Sequence, residues 1–521
     1  MAVLVNKSYV QASTNLATDL ARYGSGAEWR GIYYRDEKIG FTVSQTIVKE
    51  DGFELEEDGR LQMSLLGATT AATLRTTARV DRAFALRSFE FSLDPGTGAI
   101  QVRGQVDGLR LQIAVTTPSG TRTEERVLTE PLLLSLNMPR RLASEGLRRG
   151  AHYQWMVFDP ATLSNARVVV DVGARELVRI GGRPLPAFRV ETEFSGIHTT
   201  SWVTDTGDVV REESPMGLIT VRESPERARA MAVPFQIRKD LMDAAAVVPD
   251  TKRRIDDPRD VRMLRLRLDG MSSAIGSSAD LQGVGQSVDG DIVELRETQS
   301  LKPGPSDPEA AKFLAPEAFI ESDAPEIVAE AAIAVQGVTG SRARVERLTR
   351  YVNSILEKKP TVSLPSAREV LRTRVGDCNE HTALYVAMAR ALGIPARIAV
   401  GLVYVRGAFY YHAWPEVYVD EGKDRGLWLA VDPTLNQFPA DVTHLRLARG
   451  GLEKQAVILP LIGRLKMTVL DMELTPGSTP TLVGRRPNDT ATPLSIPLPQ
   501  RSAGGCCACW SSPVQGLRGR P

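Results

Sequence analysis

Four cysteines occur in the 521 residues, and three of them, Cys506, Cys507 and Cys509, crowd the end of the chain. That leaves Cys378 as the single thiol of the body, inside Gly376-Asp377-Cys378-Asn379-Glu380-His381. His412 follows in Phe409-Tyr410-Tyr411-His412-Ala413-Trp414-Pro415-Glu416-Val417, and Asp432 in Leu429-Ala430-Val431-Asp432-Pro433-Thr434. A thiol, an imidazole and a carboxylate in this order are the parts of nucleophilic catalysis. The imidazole takes the thiol proton, and the carboxylate fixes the imidazole tautomer and stabilises the imidazolium. Cys378 alone would read as a buried structural thiol. The other two groups give it a base and an orienter.

The local patterns show how these groups are held. Leu384, Val386, Ala387, Met388, Ala391 and Leu392 predict a helix apolar nearly all round, hence buried. Asp377 stands at its N-cap with Glu380 three residues on, a carboxylate form of the capping box. Gly393 ends the helix, Ile394 makes the hydrophobic contact behind it, and Pro395 blocks continuation. The thiol thus sits at a helix N-terminus, where unpaired N–H groups and the dipole favour thiolate. His412 is placed on a strand, on one face with Tyr410 and Trp414. Asp432 ends the next strand, before Pro433. His381, one turn along from Cys378, reads as a packing residue rather than the base.

The chain is too long for one core. With 42% hydrophobic and 24% charged residues it is globular, which excludes fibrous and disordered classes. Lys+Arg 64 against Asp+Glu 63 leaves +1, so neither nucleic acid nor a polybasic membrane contact is indicated. One body cysteine excludes a disulfide scaffold. No apolar run is long enough for a membrane span, and the first residues lack a signal-peptide pattern. As it stands the sequence predicts a cytoplasmic protein. A leader lost to a misplaced start would make it periplasmic or cell-envelope.

In order along the chain, residues 1–27 read as an N-terminal helix and linker. Residues 28–220 have period-two runs and turns such as Asp94-Pro95-Gly96 and Gly181-Gly182. They predict an antiparallel all-β region, divisible into two subdomains near Arg140–Gly150. Residues 221–305 give a polar helix and strands, including Val261–Asp269 with Arg265 and Arg267 on its wet face. Residues 306–475 alternate helices and strands around Cys378. Ser366 and Glu369 form a second capping box, and Ala396–Val405 is apolar on both faces, as a central strand should be. Pro460 and Gly463 break the apolar run before Leu470. Residues 476–521 read as a disordered tail. The tail's cysteines lack a second ligand pair or a nearby His, so a tail without a folded role is the better reading than a metal knuckle or lipid anchor.

The stretch from Gly376 to Arg397 resembles the nucleophile motif of the bacterial transglutaminase-like superfamily. Phe409–Val417 resembles its histidine motif and Leu429–Thr434 its aspartate motif. The likeness covers about Arg342 to Leu447. It implies a papain-like α+β core and a Cys378–His412–Asp432 triad working through a thioester on an amide or peptide carbonyl. The substrate is then a protein or peptide, and the outcome is hydrolysis or transamidation. Two features depart from the animal calcium-dependent crosslinkers. Asn379 stands where they carry an aromatic, and no Trp lies between Trp202 and Trp414 to assist an oxyanion. The Cys378 N–H is one oxyanion donor, and the sequence names no second. No acidic cluster marks a calcium loop, and neither cofactor nor metal is expected. The alternative is a non-catalytic binding or assembly protein whose β region holds a partner of unknown kind around a vestigial triad. Tyr410, Tyr411 and Trp414 read as packing residues, and His152, His198 and His444 as structural or surface ones.

Overall fold

The computed structural model describes residue 23 and residues 26–65, 68–96, 98–194, 197–214, 217–231, 246–270, 278–298, 301–360, 364–450, 454, 461 and 464–478. Residues 1–22 of the expected N-terminal helix, residues 479–521 of the tail with its three cysteines, and part of the run between Val457 and Leu470 lie outside this set. No helix among the described residues is long and apolar enough to cross a membrane.

The N-terminal region is a large sheet, fifteen strands wide among the described residues and antiparallel except where Leu132–Leu133 joins its end in parallel. Glu28–Tyr34 lies at its middle, paired with Glu37–Val48 on one side and Leu218–Glu223 on the other. From there one meander runs out to the edge strand Gly120–Val127 and another to Leu132–Leu133. The alternation seen in the sequence is the burial pattern of the strands: in Arg110–Thr117, Leu111, Ile113, Val115 and Thr117 point inward and Arg110 and Gln112 outward. The helix Met138–Glu145 occupies the stretch where a join between subdomains is expected. Two hydrophobic cores flank it, one around Phe89, Val102, Ile113 and Phe158, the other around Leu142, Val170 and Val190. Both belong to the same continuous sheet.

The C-terminal core is α+β. Five strands lie in the spatial order Gly304–Pro305, Arg425–Ala430, Ala408–Gly422, Ala396–Val405 and Leu445–Arg449. The helices Pro325–Ala334, Ser341–Ile355 and Ala367–Thr373 surround the helix Cys378–Ala391 and pack with it on Val417, Val419, Leu429 and Val431. Glu380 to Arg390 are all buried, which follows from a helix with no polar stripe. A second sheet of four strands contains Val261–Asp269 paired with Lys466–Leu474. Its residues Leu264, Leu266, Leu268 and Val293 close a core against Val400, Leu402, Phe409 and Leu445. Cys378 packs against this second core, while the rest of its helix belongs to the first. The thiol therefore lies at the seam between them.

One close approach in the five-stranded sheet matters for the site. Gly401 pairs with His412, and a Cβ on it would lie 2.0 Å from the Leu445 carbonyl oxygen. Only glycine lets the strand that follows His444 come so near. The same strands are pinned by Glu416, 3% exposed, whose carboxylate takes the guanidinium groups of Arg397 (2.8 Å), Arg449 (3.0 Å) and Arg446. Burial alone would push this carboxyl up, yet Arg446, Arg449 and Arg397 bring it down to about 2. Glu416→Ala leaves three cations facing one another and is expected to cost about 3–5 kcal/mol. Urea denaturation checks this, with the exposed Glu125→Ala as the control that leaves the midpoint in place.

Candidate active site

The Cys378–Ala391 helix begins as its sequence dictates. The Asp377 carboxylate accepts the Asn379 N–H at 2.9 Å, and Glu380 Oε2 accepts the Asp377 N–H at 2.9 Å, closing the capping box. At the far end Ile394 N–H returns to the Ala389 carbonyl at 3.0 Å, with Gly393 at φ +74°. Cys378 is thus fixed in the first turn, half-buried, with the Ala413 N–H directed at its sulfur. Ala413 is the neighbour of His412 along the strand Ala408–Gly422.

The protonation state of the thiol differs from the sequence expectation. Burial, then the charges of Asp377, Glu380 and Asp432, push the thiol well above its ordinary value, and the Ala413 N–H opposes them only in part. The capping carboxylates that build the helix start also surround the sulfur with negative charge. Burial first, and these carboxylates with it, disfavour the thiolate that a helix N-terminus would favour. A nucleophile in that state needs a base.

His412 Nε2 lies 2.7 Å from Asp432 Oδ2, with His412 6% exposed and Asp432 fully buried. This bond commits Nε2 as the donor and leaves Nδ1 as the lone-pair nitrogen. The ring stacks at 6.0 Å on Trp414, a wall that restricts its rotation. Asp432 stands just beyond the strand Arg425–Ala430. Its loop is closed by mutual backbone bonds with Gln437, and the Leu435 N–H donates to Asp432 Oδ1 at 2.8 Å. Asn353, from the Ser341–Ile355 helix, donates to the Pro433 carbonyl at 2.7 Å and so ties the loop to the helical layer.

His381 is fully buried, with Nδ1 2.7 Å from the Asp377 carbonyl, and burial holds its ring in the neutral form. The Tyr411 hydroxyl is buried without a hydrogen-bond partner and lies in the field of Cys378 and Asp377.

His444 is the residue the sequence did not reveal. It is 7% exposed rather than on the surface, and its Nε2 lies 3.0 Å from the same Asp432 oxygen that His412 uses. The sequence offered only its place just before the short strand Leu445–Arg449, a position many histidines share. His412, Asp432 and His444 bring their donor atoms within 4.8 Å of one another, which would also supply three ligands to a small cation such as zinc.

A cavity of about 340 Å³ opens near Cys378, lined by its chain neighbour Asn379 and by Ala413. Asn379, Thr382 and Ala383 of the helix and Ala413 of the histidine strand form its floor. Phe319 and Ile320 border it, and Leu163 and Ser164 of the N-terminal region form the opposite wall.

The charges predict how stability follows pH. His444 lies between two carboxylates, and although burial opposes its charge, Asp432 and Asp441 raise it to about 10 from 6.5. Its contribution is full below about pH 6.5 and is lost as pH rises toward 10. Asp441, lowered to about 2 against its desolvation by the bonds to His444 and Thr443, contributes above its unfolded value of 3.8 and loses this as pH falls. Asp432 is lowered in the same sense. Thermal melts should therefore show a plateau between about pH 4 and 6.5 with declines on both sides. His444→Gln should flatten the alkaline decline.

Residues 329–433 match the family model described as the transglutaminase-like superfamily, a span that contains Cys378, His412 and Asp432 and stops short of His444. This region is a transglutaminase-like core. No curated protein matches the chain. Among solved structures, a candidate cysteine protease from Cytophaga hutchinsonii is similar at 19% identity, covering 42% of this chain and 90% of its own, with a TM-score of 0.28. A β-barrel-like domain of unknown function from Brucella abortus is similar at 13% identity over 38% of this chain and 96% of its own, with a TM-score of 0.30. A candidate protease from Parabacteroides distasonis covers 73% of this chain and 69% of its own at 12% identity and a TM-score of 0.19.

Proposed function

We propose that the protein is a cysteine-dependent acyl-transfer enzyme acting on an amide or peptide carbonyl through a thioester on Cys378. The observation that carries this reading is the buried 2.7 Å bond between His412 and Asp432, which leaves His412 Nδ1 as a base in the strand whose next N–H faces the sulfur. His412 Nδ1 takes the proton from Cys378 as the sulfur adds to the carbonyl carbon. The tetrahedral oxyanion is met by the Cys378 N–H, one of the unpaired donors of a first helical turn. His412 then protonates the departing amine, leaving the acyl group on sulfur. Water or a second amine, deprotonated by His412, releases it as an acid or as a new amide. Asp432 holds the imidazole in the tautomer that both steps require.

The cavity supports a polypeptide acyl donor. Its volume lies at the lower end of small-ligand sites and suits a chain segment with its side chain rather than a cofactor. Leu163, Phe319, Ile320, Ala383 and Ala413 give it apolar surface, while Asn379, Thr382, Ser164 and Glu317 add polar groups. Arg126, the cation at its border, is engaged by Glu124 and the Leu163 carbonyl. The favoured donor is thus a peptide with an apolar side chain near the scissile carbonyl.

Incubation with a protein mixture followed by mass spectrometry reads the outcome, new termini marking hydrolysis and isopeptide links marking transamidation. Cys378→Ala should lower either signal by about 10⁴-fold or more. Ser164→Trp, which fills the cavity from the far wall, should raise KM while Cys378 alkylation by iodoacetamide proceeds at the wild-type rate. Full activity in Cys378→Ala would end the proposal.

A further inference from the structure

His412 Nε2 and His444 Nε2 converge on one oxygen, Asp432 Oδ2, at 2.7 and 3.0 Å, and the three atoms lie within 4.8 Å of one another. All three residues are buried, so bulk water competes poorly for the point they share. Two imidazoles and a carboxylate are a donor set of zinc centres that keep a fourth position open. Zinc bonds of about 2.0–2.2 Å set tetrahedral donors roughly 3.3 Å apart. An ion among these atoms therefore asks the two contacts to open by only about half an ångström. The sulfur of Cys378 is not part of the convergent set.

The groups behind these donors are those of a metal centre. Metal-bound histidines rest their far nitrogen on a carboxylate or a backbone carbonyl, which fixes the ring and strengthens it as a ligand. His444 Nδ1 has both, the Asp441 carbonyl at 3.1 Å and Asp441 Oδ1 at 3.3 Å. Asp441 is itself held by the Thr443 N–H at 2.9 Å, the Thr443 hydroxyl at 2.6 Å and Gln437 Nε2 at 2.7 Å. Asp432 gives its other oxygen, Oδ1, to the Leu435 N–H at 2.8 Å, which leaves Oδ2 to the histidines. Trp414 closes one side, stacked on His412 at 6.0 Å and edge-on to His444 at 5.1 Å. Nitrogen donors and a low ligand number suit zinc, whereas magnesium and calcium require six or more oxygens.

We propose that His412, Asp432 and His444 form a zinc-binding site, and that an ion held there switches the enzyme off. The switch rests on the reading of His412 and Asp432 as catalytic partners, whereas the site rests on the convergence of the three side chains. An ion bound to His412 Nε2 and Asp432 Oδ2 takes the place of the bond between them. Asp432 then no longer orients the imidazole for proton transfer, and release of the ion restores the bond. Zinc and catalysis exclude each other because they use the same atoms. His444 is the residue that makes this possible, since it adds the third ligand to a pair that alone would hold an ion weakly.

The test is zinc titration into the chelator-treated full chain carrying Cys506→Ser, Cys507→Ser and Cys509→Ser, so that the tail thiols take no metal. Equilibrium dialysis should find a single zinc per chain at micromolar Kd or tighter, with magnesium and calcium not bound. Asp441→Asn, behind the ligand, should weaken zinc by about 10–100-fold, and His444→Gln by more. Cys378→Ala should bind zinc as its parent does. The cobalt form, which needs no ligand variant to fold, should show the absorption of four-coordinate cobalt without thiolate charge transfer. Cys378-dependent hydrolysis or transamidation should fall in proportion to zinc occupancy and return on chelation. Lack of zinc binding at millimolar metal, undiminished binding in His444→Gln, or a thiolate band in the cobalt form each overturns the proposal. Full activity with the site occupied overturns the switch. Failure of the acyl-transfer reading looks different: Cys378→Ala would then keep its activity while zinc still bound as expected.

Discussion

The site depends on the burial of Asp432. A carboxylate with no exposed surface is strongly disfavoured as an ion unless donors replace its water. Here His412, His444 and the Leu435 N–H do so, and the ion is held against its desolvation. Each of these donors demands something of the fold. His412 must project from the strand Ala408–Gly422 at the register that sets it opposite Gly401, and His444 must arrive from the adjacent strand through the space that glycine leaves. The Asn353 bond to the following loop then couples the carboxylate to the helical layer. One buried charge thus fixes the relative placement of three strands and a helix.

The thiol answers to a different constraint. Helix-start chemistry and nucleophile chemistry compete at Gly376–Glu380. The capping box that makes the helix begin at Cys378 supplies two carboxylates, and both disfavour the thiolate that the dipole favours. Helix N-termini activate cysteines where the surroundings are electropositive. Here they are electronegative and partly dry. The same residues therefore give Cys378 a firm position and disfavour its thiolate.

Much of this was legible in the sequence because local rules dominated. Asp377, Glu380, Gly393 and Ile394 define their helix by contacts within a few residues, and the period-two rhythm of residues 28–220 identifies strands without knowledge of their partners. The pairing of His412 with Asp432 could be anticipated because consecutive strands of a hairpin place their ends together. Three features were not legible, each for a physical reason. The resting state of Cys378 is a balance of burial against dipole, and burial is a property of the assembled fold. His444 shares Asp432 because of a close strand approach at Gly401, which is a tertiary event. The union of two β cores into one sheet depends on Glu28–Tyr34 pairing with Leu218–Glu223, strands far apart in the chain.

That long-range closure has a consequence at the site. A wide sheet presents edges, and an open edge invites pairing with other chains. The edge strand Gly120–Val127 is instead held against the C-terminal core. Arg122 meets Asp323 at 2.8 Å, and the Ser119 N–H at the strand's start donates to Glu369 at 2.7 Å. Phe319 and Leu364 of the core pack in turn into the hydrophobic cluster of the sheet. The far wall of the cavity, Leu163 and Ser164, is delivered by this docking. Covering the edge and completing the cleft are one structural act. A core without the β region would keep Cys378, His412 and Asp432 but lose the Leu163 and Ser164 side of this cavity.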